Sequence, residues 1–338
     1  MSAAPDAHRP PASTPPPPVT EDDIARFRVL HESAVDAVAG ALRGKRPVIE
    51  LALVSMFAGG HVLLEDVPGT GKTTLARAIA ATLGGSSQRI QFTPDLLPAA
   101  VTGTSVLEPG TGEIKFRPGP VFTNVLLADE INRAAAKTQS ALLEVMAERT
   151  VTIDGVGHRV PDPFVVIATQ NPIDLDGTYR LPEAQLDRFL VRITLGYPDA
   201  EHELDVLRPG GGAGEIDAVH EGATPDQIAA ASRMLRGVHV AEPILRYIRD
   251  LGAATRDDER LRLGASTRAL RGMVACAQVF AASQGRHFVV PSDIQRLAVP
   301  VLAHRVVLTR DAVLAGTSTA QLVTELVDRV EAPRPVPA

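Results

Sequence analysis

At 338 residues, with 45% hydrophobic side chains, only 4% aromatic ones and no tryptophan, the chain is long enough for two domains whose interiors must be built from Leu, Val, Ile and Ala. That composition suits helices packed on a parallel sheet, and the single cysteine, Cys276, excludes a disulfide within the chain. A net charge of -6 weighs against a protein that grips nucleic acid through its phosphates.

In chain order, residues 1–20 are rich in Pro and Ala, have no basic segment ahead of an apolar run, and read as a disordered tail and not as a signal peptide. The most apolar stretch, 48–64, contains Glu50 and is broken by Gly59-Gly60, so a buried helix followed by a strand is expected there and not a membrane span. A soluble, cytoplasmic protein is the expectation. Between residues 21 and 200, short β-rich runs at 61–65, 90–92, 121–128, 164–169 and 190–195 alternate with helical patterns, the signature of a parallel sheet wrapped by helices. Two hairpin-like insertions interrupt this α/β domain and should project from it: 106–116, carrying Pro109-Gly110-Thr111-Gly112, and 151–160, turning through Asp154-Gly155. Residues 201–223 read as a connection, with a flexible run at 209–214. From 224 to 338 the pattern is helical and opens on Thr224-Pro225-Asp226-Gln227, a capping box with Pro at the first helical position. Cys276, within the apolar stretch 273–280, reads as a small core residue on a helix. The nine histidines are scattered and give no metal-ligand cluster.

The chemistry concentrates after the first strand. Asp66-Val67-Pro68-Gly69-Thr70-Gly71-Lys72-Thr73 follows a strand and precedes the helical stretch that begins at Thr74. Glycines let backbone N–H groups curl around phosphate oxygens, and the helix N-terminus points its positive dipole end at them. Pro68, Gly69, Thr70, Gly71, Lys72, Thr73 and Thr74 are therefore the candidate nucleotide-binding set, with Lys72 reaching the β- and γ-phosphates and the Thr73 hydroxyl a magnesium ligand. Asp66 stands where the generic motif has its first Gly. It requires a backbone tolerant of the turn and a carboxylate facing away from the phosphates.

Hydrolysis needs more than binding. Val125-Leu126-Leu127-Ala128-Asp129-Glu130 is an apolar strand ending in two acids: Asp129 to hold magnesium and Glu130 to polarise the attacking water. Alone, such acids also fit a solvated turn. The strand 164–169 ends in Gln170-Asn171-Pro172, where Asn171 can orient water and contact the γ-phosphate, or simply close the strand in an Asn-Pro turn. Arg188, at the end of a short helix over 181–189, suits a developing phosphate charge, with a salt bridge to Asp187 or Glu183 as the competing account. Ser266-Thr267-Arg268 puts an arginine in the first turn of a helix, where the macrodipole disfavours a cation, so Arg268 answers to an anion such as a nucleotide phosphate.

Together these segments resemble the AAA+ superfamily and, more closely, its MoxR family, over roughly residues 51–300. The resemblance is carried by 64–73, by Gln91-Phe92-Thr93-Pro94-Asp95-Leu96-Leu97-Pro98, by Arg117-Pro118-Gly119-Pro120-Val121-Phe122, by 126–138 around Leu127-Ala128-Asp129-Glu130-Ile131-Asn132-Arg133, and by 181–189. It implies a five-stranded parallel sheet with helices on both faces, a small α-helical lid, and a homo-oligomeric ring, a hexamer, with ATP and Mg2+ bound where subunits meet. Lys72 and Thr73 match the Walker A pair, Asp129 and Glu130 the Walker B pair, and Asn171 sensor 1. Arg188 matches the arginine finger and Arg268 sensor 2. The two insertions resemble the helix-2 and pre-sensor-1 hairpins. An acidic residue at the Asp66 position is familiar in such proteins, whereas Ala99-Ala100 and Arg180 depart from the pattern. The implied function is MgATP-driven, chaperone-like remodelling, maturation or activation of a protein client, often beside a partner with a von Willebrand factor A domain. A chelatase or metal-insertion motor subunit and a slow nucleotide-gated recruitment module stay open as alternatives. Intact Glu130, Asn171 and Arg188 argue against a pseudoenzyme.

Overall fold

A computed structural model of the chain describes residues 19–67, 69–110, 112–171, 179, 181–198, 200–207 and 223–334. Residues 1–18 of the expected tail, Pro68, Thr111, Arg180 and the glycine-rich run 209–214 lie outside the described residues.

The chain opens with two helices, α1 (Glu21–Ala41) and α2 (Arg46–Phe57). Thr20 caps the first: its hydroxyl accepts the Asp23 N–H at 3.2 Å and the Asp23 carboxylate accepts the Thr20 N–H at 3.1 Å, satisfying two donors that a helix start leaves unpaired. Next come β1 (Val62–Glu65), α3 (Lys72–Thr82), β2 (Ser87–Gln91), α4 (Pro98–Thr102), β3 (Gly103–Leu107), β4 (Ile114–Pro118), β5 (Val125–Asp129), α5 (Ala136–Glu148), β6 (Thr150–Ile153), β7 (Val156–Arg159), β8 (Val165–Gln170), α6 (Glu183–Leu186), β9 (Val191–Ile193) and α7 (Ala200–Leu207). The last lies in the segment expected to be a connection. The remainder is mainly helical: α8 (Pro225–Leu235), α9 (Glu242–Asp257), β10 (Leu261–Leu263), α10 (Thr267–Ser283), α11 (Pro291–Leu302), β11 (Val307–Leu308), α12 (Arg310–Leu314) and α13 (Thr319–Arg329). The Thr224 capping box starts α8 as its sequence requires.

Five strands form one parallel sheet in the order β2-β5-β8-β1-β9. Because side chains alternate across a strand, Val62, Leu64, Val125, Leu127, Val165 and Ile167 enter one core, while Leu63, Leu126, Ala128, Val166 and Ala168 enter the other. The sequence suggested interiors divided by domain; the structure divides them by sheet face. The first core runs without a break from α1, α2 and α3 into α8 to α11 and α13, so the helical part shares an interior with one face of the sheet. Cys276 is buried there, and burial pushes its thiol up to about 12. Both insertions are two-stranded hairpins, β3–β4 and β6–β7. They are joined by Ser105 Oγ donating to Asp154 at 2.5 Å and by Phe116 stacked on His158 at 4.1 Å between ring centroids.

Candidate ATP-hydrolysis site

The site follows from the sheet order. With β8 between β5 and β1, the carboxyl ends of three neighbouring strands bring together the loop after Glu65, the acids Asp129 and Glu130, and Asn171. In the loop, Gly69 and Gly71 take φ of 82° and 90°, left-handed values that a side chain resists, and Gly71 is the residue on which α3 starts. A Cβ on Gly71 would also lie 3.0 Å from the Leu42 side chain. Lys72 begins α3, and its ammonium donates to the carbonyls of Asp66 and Val67, each at 2.6 Å. Burial lowers its pKa, against the pull of Asp66, Asp129 and Glu130. The Thr70 hydroxyl donates to the Val67 carbonyl at 3.2 Å, and Thr74 lies in the first turn of α3.

Asp66 solves its position differently from the sequence argument. It has no left-handed backbone; the turn is made by the two glycines. Its carboxylate accepts the Val67 N–H at 2.8 Å and the Gly196 N–H at 2.6 Å, so it fastens the loop to the chain beyond β9 and is turned to those amides.

Asp129 closes β5 and is 5% exposed. Thr169 Oγ1 donates to its Oδ1 at 2.6 Å; its Oδ2 accepts Thr73 Oγ1 at 3.3 Å and the Arg89 guanidinium at 2.7 and 3.2 Å. Glu130 has φ 54°, a sparsely populated region for a residue with a side chain. Its N–H donates to Thr169 Oγ1 at 2.9 Å, which pins this turn to β8. Its carboxylate accepts Gln91 Nε2 and Arg133, both at 2.9 Å. Asn171 is 9% exposed, and its carbonyl accepts Asn132 Nδ2 at 3.1 Å. The hydroxyl of Thr73 and the carboxylate of Asp129 are hard oxygen donors in contact, a pair that fits a magnesium ion.

Sequence reasoning missed Arg89 and Gln91. Both lie on β2, the edge strand beside β5, two positions apart and hence on one face. The alternation within Ser87-Gln88-Arg89-Ile90-Gln91 was the available signal, but only the pairing with β5 shows which acids these side chains meet.

Arg188 and Arg268 are not brought to this loop. Arg188 lies two residues past α6, and its guanidinium donates to the Leu143 carbonyl on α5 at 2.5 Å. The salt bridges weighed against its role go to other arginines: Asp187 to Arg305 at 3.3 Å and Glu183 to Arg262 at 3.0 Å. Arg268 sits in the first turn of α10, whose N-cap Ser266 donates to the Asp187 carboxylate at 3.2 Å. Its positive charge acts on His61 and Arg305. His61 precedes β1, and its carbonyl accepts the Leu190 N–H at 2.8 Å. Both arginines therefore gather towards the amino ends of β1 and β9, while the phosphate loop leaves the carboxyl end of β1. Five residues of extended chain separate His61 from Asp66, roughly 16 Å.

Such a sheet, with a glycine loop feeding a helix and an acid pair at the end of a strand one place removed, defines a P-loop ATPase of the AAA type. Residues 61–191 match the model of the ATPase family associated with various cellular activities, and 253–326 match an AAA lid domain. A Bacillus subtilis protein described as uncharacterized protein YeaC is 43% identical, covering 89% of this chain and 94% of that protein. Chaperone MoxR1 of Mycobacterium tuberculosis is 40% identical, covering 96% of this chain and 88% of that protein. A crystal structure of a candidate ATPase from Cytophaga hutchinsonii superposes with a TM-score of 0.85 at 36% identity, over 93% of this chain and 98% of that one. The chain belongs to the MoxR family of AAA+ ATPases and is an ATP-hydrolysing enzyme. Among the described residues no helix is long and apolar enough to cross a membrane.

Proposed function

We propose that this MoxR-type ATPase works as a ring, hexameric by family resemblance, in which each ATP is bound by one chain and completed by the arginines of the next. The observation that carries this reading is the separation of Arg188 and Arg268 from the loop of their own chain. Lys72 and the amides of the Gly69–Gly71 turn hold the phosphates, with Thr73 and Asp129 the magnesium ligands. Magnesium supplies charge neutralisation at the phosphates when bound. Glu130, released from Gln91 and Arg133, takes the proton of the attacking water; the new P–O bond forms as the bond to ADP breaks, and Asn171 orients the water. Arg188 and Arg268 of the neighbour meet the charge that develops on the γ-phosphoryl group.

Turnover drives remodelling or maturation of a protein client in the cytoplasm, beside a von Willebrand factor A domain partner. The joined hairpins support this part, because they expose Leu107 (60%), Ile114 (71%) and Val156 (56%) on projecting arms, an apolar surface of the kind that meets another protein. The ring reading is tested by measuring ATP turnover per chain against protein concentration, alongside native mass. Specific activity should rise steeply as rings assemble. A monomer turning over ATP at the full rate would overturn the proposal.

A further inference from the structure

The N-terminal edge of the sheet carries a concavity that the ATPase cycle does not use. It holds about 570 Å³ and lies between the base of the β6–β7 hairpin, the start of β8 and helix α8. Gly59 and Phe164 on its wall precede β1 and β8, so it opens at the end of the sheet away from the phosphate loop.

Four arginines line it: Arg149, Arg159, Arg233 and Arg236. Arg149 is half-buried and anchored, donating to the carbonyls of Phe164 and Gly59 with its guanidinium over the Phe164 ring. The other three are exposed, and their side chains make no hydrogen bond or ion pair among the described residues. Only Glu148 and Asp162 oppose them, leaving the lining with more positive than negative charge in a chain of net charge -6. Arg46 and Arg286 show how a carboxylate would answer such a charge: Arg46 meets Glu32 at 2.9 Å and Asp36 at 2.6 Å, and Arg286 meets Asp293 at 2.6 Å. Arg233, in the last turn of α8, and Arg236, its C-cap in αR conformation, are three residues apart, a spacing that puts their like charges side by side.

We infer that this concavity is a second anion site, taking a small molecule that carries at least two phosphate groups. Planar guanidinium forks match phosphate oxygens in pairs, and the Ser232 hydroxyl adds a donor on the same helix. A volume of about 570 Å³ is that of a small-ligand pocket. An occupant reaching both walls would tie α8 to the β6–β7 hairpin, joining the helical part to the α/β body at the end of the sheet away from the chain's own phosphate loop.

The test uses inorganic pyrophosphate as the probe and the full-length Lys72→Ala chain, which lacks the main phosphate contact of the ATP site. Calorimetric titration should show binding, weakened about tenfold or more when Arg233→Ser and Arg236→Ser are added, because each lost guanidinium removes a charge-assisted hydrogen bond. Pyrophosphate should also raise the Tm of the Lys72→Ala chain by about 2–4 °C and leave the triple variant unmoved. Both serines replace exposed residues, so a matching Tm without probe verifies the fold. Absence of binding to the Lys72→Ala chain, or equal binding after the arginine replacements, would refute the site. Tighter binding of a hexaglutamate peptide than of pyrophosphate through the same two arginines would overturn the small-phosphate assignment in favour of an acidic protein segment.

Discussion

The two ends of the parallel sheet are built on opposite electrostatic plans. At the carboxyl end every charged group of the ATP site has a partner within the chain: Lys72 on two carbonyls, Asp129 on Arg89, Glu130 on Gln91 and Arg133. At the amino end Arg188 donates to a neutral carbonyl, and Arg268 sits at a helix start whose dipole opposes it. A carboxylate with its counter-charge inside the chain is already balanced, whereas a cation held by neutral carbonyls, Lys72 at one end and Arg188 at the other, is open to an anion. On the proposed ring reading, the difference divides each chain into a binding half and a separate arginine half.

Removing Arg188 should break the comparison most severely. Arg188→Ala is expected to bind a non-hydrolysable ATP analogue like wild type and to lose about a thousandfold or more in turnover, read by calorimetry and phosphate release. Tight coupling of ATP affinity to Arg188 in an isolated chain would return the arginine to its own site. The carboxyl end answers to Glu130→Gln, which should keep nucleotide and lose roughly a hundredfold or more in steady-state hydrolysis, since the amide cannot accept the proton. An unchanged rate would move the base elsewhere. Arg268→Ala should cost less, about tenfold in turnover, the worth of one charge-assisted contact.

The remaining effect is on stability and not on turnover, and it sharpens the contrast at the amino end. Burial first, then Arg149, lower the His61 pKa to about 3, with Arg268 a lesser contributor. Burial, and then Arg46, lower that of His31 to about 4. In the unfolded chain these imidazoles protonate near 6.5, so the folded state binds fewer protons below that pH. Their stabilisation is full above about 6.5 and is lost as pH falls towards 4 and 3, at about 1.4 kcal/mol per pH unit for each histidine. Urea unfolding between pH 7.5 and 4.5 should show the slope, and His31→Leu, filling a place between Phe27 and Phe57, should reduce it. A slope that survives that replacement unaltered would exclude His31 as a source.

Much of the carboxyl end was legible in the sequence because its determinants are local. A strand, two glycines, Lys72 and a helix are contiguous, and the apolar run before Asp129 announces a buried strand whatever lies beside it. The capping box at Thr224 and the Asp154-Gly155 turn are local in the same sense. What was not legible depends on distant parts of the chain meeting. Asp66 reaches Gly196, 130 residues away, and so needs no left-handed backbone. Arg89 reaches Asp129 only because β2 pairs with β5. The place of Arg268 depends on α10 packing against the Asp187–Leu190 segment, with Ser266 on Asp187 and a Cβ on Gly272 only 2.7 Å from the Leu190 side chain. Periodicity names α10 but not the edge of the sheet it will face.

The most direct test of the divided site mixes two inactive chains. Lys72→Ala lacks a working phosphate loop, and Arg188→Ala lacks the arginine for its neighbour. Mixed rings contain interfaces that pair the intact loop of one variant with the intact Arg188 of the other. Pull-down of differently tagged chains establishes co-assembly, and phosphate release is then measured on the captured rings. Turnover well above either variant alone is the expected result; mixed rings that release phosphate no faster than the single variants would contradict the account and leave Arg188 a structural residue held by the Leu143 carbonyl.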